Sequence, residues 1–400
     1  MTHQSRNYAR WLFPSAFAFS CLLFWWLPSI LLAFLHADNP ITSKTIRDTI
    51  LAFVFFFCGY LIPLKAPRKL FISIKSMEQC SDLAYKLTLL IAVPAFVVSL
   101  LFAIARARVT YSTGGDMPFM YQAVLYTHLF VGYMFLGSVP DMDGPNRKRV
   151  ILAAFLLIFP RLVISLQWQR FFVGQTCAAI LLIVMARGWV RISGVRILQL
   201  ILLAAAIIFV PAYTRGDPIF GTDPSGNPRL LRFFQSGSTL IFYQDYQHLQ
   251  SECPPLLVSM TAKIIPYSLL HVCTMTVGNA QNTPAVLSSL ITRQDSNDLA
   301  LGTGSIYILE LYLTGGIAAV LLGSALFGLS CRLFVEHLGA RSLVAGIWAE
   351  CLVRSLYAPR GNLGYVYERI PSLLAATAVV MLLCWAGDVL RAKPIDTTSC

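Results

Sequence analysis

The sequence predicts an all-α polytopic membrane protein, and three observations carry that prediction. Of its 400 residues, 56% are hydrophobic and only 12% charged, with a mean hydropathy of +0.66. Apolar runs of about 20 residues, the helix length that crosses a bilayer, recur along the whole chain. The basic residues concentrate in alternate connecting segments. A soluble fold could not cover so large an apolar excess with polar side chains. A disulfide scaffold, a soluble nucleotide enzyme and a disordered tail are excluded on the same ground. The net charge of +12 therefore reports topology before it reports partners, and no nucleic acid is expected.

About ten spans are expected, over 12–35, 49–64, 86–104, 119–138, 150–167, 171–186, 197–213, 305–330, 342–357 and 370–390. The first follows Arg6 and Arg10, is too long for a signal-peptide core, and reads as a retained anchor. Even-numbered turns carry Lys65, Arg68 and Lys69, then Arg147 to Arg149, then Arg187 and Arg191, then Arg332 and Arg341, then Arg391. With ten helices these fall on one side together with both termini, and the positive-inside rule makes that side cytoplasmic. The chain accordingly divides into 1–211 with helices one to seven, a large outer loop 212–304, and 305–400 with helices eight to ten. Gly216, Pro218, Gly221, Pro224, Gly226 and Pro228 punctuate the start of the loop as irregular backbone. Its apolar stretches 230–249 and 256–270 are interrupted by charges and Pro266, and read as short amphipathic helices in the membrane interface. A broken or re-entrant helix over 255–275 is the alternative there.

Six of the ten cysteines (Cys21, Cys58, Cys177, Cys331, Cys351 and Cys384) fall in expected spans, where a thiol behaves as a small apolar group. Cys253 and Cys273 share the outer loop and could pair if that side is oxidising. No Cys/His spacing suits a metal, and no phosphate loop, dinucleotide fingerprint or nucleophile elbow is present, so neither metal nor cofactor is expected.

The informative feature is the outer cations. Arg161, Arg170, Arg215, Arg229, Arg232, Arg293, Arg354, Arg360 and Arg369 all fall at or near the outer face, where lysine is almost absent. A guanidinium grips phosphate with a planar fork and stays charged when partly dehydrated. Glu350 and Arg354 stand four apart on one helix and can pair, leaving Arg354 free to present its fork outward. After Pro359, the tract Arg360-Gly361-Asn362 reads as a polar outer turn. Two glycines and two hydroxyls, Gly302 to Ser305, precede a long glycine-bearing helix whose amino end would favour an anion. Glu310 lies in that helix with Tyr307 one turn before it, and a carboxylate at such depth is either paired or functional. The combined expectation is an arginine-lined outer cavity for an amphiphile with a phosphate or diphosphate head.

This layout resembles the Wzy-type O-antigen polymerases. The likeness is sharpest in Gly304 to Leu313, in Arg360 to Asn362, and in the Pro160-Arg161 to Arg170 hairpin. Arg215 to Gly226 and Arg293 to Gly304 also match the R-x10-G spacing of some members, although here both fall in one loop rather than two. The resemblance implies a GT-C-like membrane glycosyltransferase of the bacterial inner membrane with its active site facing the periplasm. It implies undecaprenyl-diphosphate-linked oligosaccharides as donor and acceptor, undecaprenyl diphosphate as leaving group, and membrane lipids and a chain-length regulator protein as further partners. It implies Glu310, Arg354 and Arg360 as catalytic, with Arg161, Arg170, Arg215, Arg293, Tyr307 and Asn362 binding diphosphate or glycan. An O-antigen ligase, using His248 or His271, and a lipid-linked oligosaccharide flippase stay open as alternatives.

Overall fold

The computed structural model describes residues 3–27, 30, 43–64, 74–106, 119–140, 142–167, 171–189, 199, 307–359, 363–367 and 369–391. Those residues are helical, with no strand among them. The helices are α1 (His3–Cys21), α2 (Ser43–Leu61), α3 (Ile74–Arg106), α4 (Phe119–Ser138), α5 (Gly144–Gln167), α6 (Phe171–Ala186), α7 (Tyr307–Leu338), α8 (Ala345–Ser355), α9 (Leu363–Tyr367) and α10 (Ile370–Arg391). Met77–Ala105, Tyr307–Leu338 and Tyr365–Gly387 are long and apolar enough to cross a membrane. The chain is thus an all-α protein of membrane character. The expected span 197–213, the whole outer loop, and with it Cys253 and Cys273, lie outside the described residues.

Two compact units emerge. The first gathers Met1–Ala66, Arg191–His337 and Glu350–Pro371. In it α1 carries Arg10, whose guanidinium meets Glu336, and the turn after α1 carries Trp25, whose indole meets the Pro359 carbonyl. That turn, Leu22–Trp26, is π-helical. It sends the adjacent indoles to different partners, Trp25 to Pro359 and Trp26 to the Thr49 hydroxyl. Small residues then let backbones touch, which matters because lipid supplies little hydrophobic drive for one helix to pack on another. A Cβ on Gly328 would strike the Phe56 carbonyl, and one on Gly59 would strike the Ala325 carbonyl. Phe17, Phe56 and Phe327 pack their rings around this crossing.

Helix α7 corrects the expected single span over 305–330. Gly315 and Gly316 leave the helical conformation, and Gly316 takes φ 60°, ψ −153°, a region open in practice to glycine alone. The Tyr307 and Phe327 rings lie 5.3 Å apart, whereas a straight helix would separate those residues by about 30 Å. A Cβ on Gly323 would likewise run into the Leu311 methyls, across what would be about 18 Å of straight helix. The chain therefore reverses at the glycine pair. Residues 307–314 form a half-helix, α7a, laid back on the spanning helix 317–338, α7b. Every side chain from Tyr307 to Leu313 is buried, so α7a is enclosed by protein.

Helix α8 also differs from expectation. The span expected over 342–357 is a helix of 11 residues, too short to cross a bilayer. Its last turn tightens, with Tyr357 N–H donating to Arg354 O and Ala358 N–H to Ser355 O, and Pro359 follows.

The second unit comprises Pro67–Val190, Leu338–Ala349 and Ser372–Cys400. Ala95 and Phe102 of α3 pack with Leu125 of α4 and Ile164 of α5. Leu90, Val93, Val97, Leu101 and Ile104 line an exposed apolar stripe on α3, as a lipid-facing surface requires. The last carbonyls of α4 are capped by arginines from two places, Arg341 on Ser138 and Arg187 on Val139 and Pro140. Arg187 and Arg341 belong to turns that the charge alternation assigns to one side, and they meet at one end of this unit.

Gly328→Val should overpack the crossing with Phe56 and cost about 3 kcal/mol or more. Gly387→Ala, with nothing near its added methyl, should be neutral or slightly stabilising. Thermal unfolding of the purified variants in detergent reads both.

Candidate functional site

Glu310 sits in the first turn of α7a and is 2% exposed. Its Oε2 accepts the backbone N–H of Leu363 at 3.0 Å, at the start of α9. A buried carboxylate requires donors, and a hydrogen bond to a charged group contributes about 1.5–3 kcal/mol. Leu363 immediately follows Arg360-Gly361-Asn362 in the chain. The two tracts that the sequence singled out separately therefore join at one hydrogen bond.

The segment 356–369 is fastened at several further points. Ser20 Oγ donates to Leu356 O at 2.5 Å and Trp25 Nε1 to Pro359 O at 2.7 Å. Arg354 Nη1 donates to Tyr365 O at 2.7 Å, and the Tyr367 and Ser330 hydroxyls lie 2.9 Å apart. Glu350 Oε1 accepts Arg354 Nε at 2.9 Å and lies 3.6 Å from Arg369 Nη1. Its carboxylate thus bridges two guanidiniums drawn from both sides of the segment. The Arg354 guanidinium also lies 4.2 Å from the Tyr365 ring centroid, close enough for cation–π attraction.

This geometry changes the reading of Arg354. The expected pair with Glu350 forms, but the guanidinium is wholly buried rather than presented outward. It is a positioning group: it holds the Tyr365 carbonyl and thereby the backbone after Arg360. Tyr307 is likewise fully buried, with its ring 5.9 Å from Trp25 and 5.3 Å from Phe327. It seats α7a and does not line an open face.

Arg161 belongs to the second unit. It is 4% exposed, donates from Nη2 to Leu125 O at 2.9 Å, and lies 5.4 Å from the Tyr126 ring centroid and 5.9 Å from that of Phe172. Arg170, Arg215, Arg293, Arg360 and Asn362 lie outside the described residues, as do Gly302 to Ser305. Among the described residues no three His, Cys, Asp or Glu converge as metal ligands.

Sequence reasoning did not single out Ser20, Trp25, Ser330 or Arg369 as supports. Each is a polar group on an apolar helix or at a helix end, and only the packed structure shows which carbonyl or carboxylate it meets. Buried Thr45 and Asp48 on α2 were also missed, although their i, i+3 spacing marks one polar face. Lys44 beside them lies 5.4 Å from the Tyr312 ring of α7a.

No family model, curated protein or solved structure matches this chain.

Arg354→Ala would leave Glu350 in an apolar interior without that guanidinium and release Tyr365, and should destabilise by about 3–5 kcal/mol. The double change Glu350→Gln, Arg354→Met also takes the carboxylate away from Arg369, so it should cost more than the single one. Chemical denaturation of the purified variants separates the two.

Proposed function

We propose that this chain is a membrane polysaccharide polymerase of the Wzy type, joining undecaprenyl-diphosphate-linked oligosaccharides on the periplasmic face of a bacterial inner membrane. The observation that carries the reading is the bond from Glu310 to Leu363. It couples a buried carboxylate on a folded-back half-helix to the backbone three residues after Arg360 in the chain. Irregular backbone at membrane depth occurs where it is enclosed by protein or lines a cavity, and in transporters such broken helices form the binding site.

The chemistry asks for few parts. The acceptor hydroxyl attacks the anomeric carbon of the donor glycan, the bond from that carbon to the diphosphate oxygen breaks, and undecaprenyl diphosphate leaves. Diphosphate is a competent leaving group whose developing charge needs neutralising, which arginines supply. In this reading Arg360 grips the departing diphosphate, and Arg293 holds diphosphate oxygens beside it. Arg215 contacts the glycan or orders the loop, and Asn362 adds a hydrogen bond. Arg354 acts through Tyr365 by fixing the turn. Glu310 positions the attacking hydroxyl and takes its proton.

The test is deletion and complementation in the bacterium that carries the gene, reading lipopolysaccharide on a gel. Deletion should collapse the ladder to core plus one repeat unit. Wild type should restore the ladder, while Glu310→Ala and Arg360→Ala should lower polymer about a hundredfold or more at normal protein level. Wild-type chain lengths in both variants would refute the assignment. Accumulation of lipid-linked polymer would instead identify a ligase, and loss of the single repeat without such polymer a flippase.

A further inference from the structure

At the other end of α1 from Trp25, the first unit holds a second charged cluster that the proposed reaction does not use. Glu336 of α7b accepts Arg10 Nη2 on Oε2 at 2.7 Å and faces Arg332 Nη2 from Oε1 at 2.8 Å. Tyr60 of α2 joins them: its hydroxyl donates to Arg10 O at 2.9 Å, and the Arg332 guanidinium lies 5.5 Å from its ring centroid. Three helices therefore converge on two guanidiniums and one carboxylate.

The charges do not balance, because Glu336 neutralises one cation of the two. Its carboxylate engages a single nitrogen of each fork, and the Nε atoms of Arg10 and Arg332 are themselves buried, so what these side chains expose lies elsewhere on them. Glu336 itself is closed off, with 3% of its side chain exposed, while Arg10 keeps 28% and Arg332 15%. Among the described residues, the exposed part of the cluster is thus cationic. Next to it the same three helices expose apolar side chains: Trp11 after Arg10, Leu61 after Tyr60 and Leu333 after Arg332.

We propose that Arg10 and Arg332 form a headgroup site for an anionic phospholipid, its phosphate on the open guanidinium edges and its acyl chains along Trp11, Leu61 and Leu333. A basic pocket between spanning helices suits a lipid phosphate, and a fork binds it in two-point fashion. Glu336 keeps the two forks apart and aimed, and leaves the excess positive charge for the lipid. The site is independent of the proposed reaction.

The test uses the full chain purified in detergent and delipidated, with mixed micelles of phosphatidylglycerol or phosphatidylcholine, or with inorganic phosphate alone. Native mass spectrometry counts retained lipid, and thermal unfolding follows stability. Wild type should retain phosphatidylglycerol over phosphatidylcholine and gain stability from the former only. Arg10→Gln should reduce that retention about fivefold, as loss of one cation near the headgroup predicts. Arg332→Lys, which keeps the charge against Glu336, should also reduce it through loss of the fork. Glu336→Gln should retain at least as much anionic lipid as wild type, and Arg149→Gln, far along the chain and paired with Asp82, should change nothing. Equal retention of the two lipids by wild type, or undiminished retention by both arginine variants, would overturn the proposal. Stabilisation by inorganic phosphate alone to the same degree would overturn it as a lipid site.

Discussion

A carboxylate enclosed in an apolar interior must find a donor within reach, and the first unit is arranged around that requirement at Glu310. The donor is a backbone N–H that lies 53 residues further along the chain. For it to arrive, α7a must fold back at Gly315 and Gly316, and the segment after α8 must be drawn in beside it. The bonds to Ser20, Trp25, Ser330 and Arg354 each supply a partner for a group of that segment which would otherwise be buried without one. Removing any one leaves a polar group stranded in a medium that offers no water.

The same economy explains the glycines. Where α2 crosses α7b, Gly59 and Gly328 let one backbone rest on the other, and at Gly323 the missing side chain makes room for Leu311. Close approach gives many weak dispersion contacts where the hydrophobic effect contributes little. Polar fastening and tight apolar packing thus act on one helix, α7b, from opposite sides of the argument: one secures position, the other contact.

Much of the secondary structure was legible from apolar runs. The ends of α4 and α6 agree with expectation because turn-forming or charged residues bound each run sharply. Helices α3 and α5 extend beyond their expected starts, since helical backbone continues past the apolar window into charged residues. The reversal inside α7 was not legible, because two glycines lower hydropathy no more in a hairpin than in a straight span. Their one signal is the adjacent pair, which only the positive φ at Gly316 converts into a turn. The Glu350–Arg354 pair followed from spacing, whereas the burial of Arg354 followed from Tyr365, a partner 11 residues on that no periodicity reveals.

The reversal at Gly315 and Gly316 also constrains how the chain is put together during synthesis. A translocon releases segments into lipid by apolar length, and an eight-residue half-helix bearing a carboxylate falls far below that length. Residues 307–314 are therefore too short to be released as a span of their own and rely on packing against α7b. Leu363 is translated 53 residues after Glu310, so the hydrogen bond between them forms only after that stretch of chain has been made.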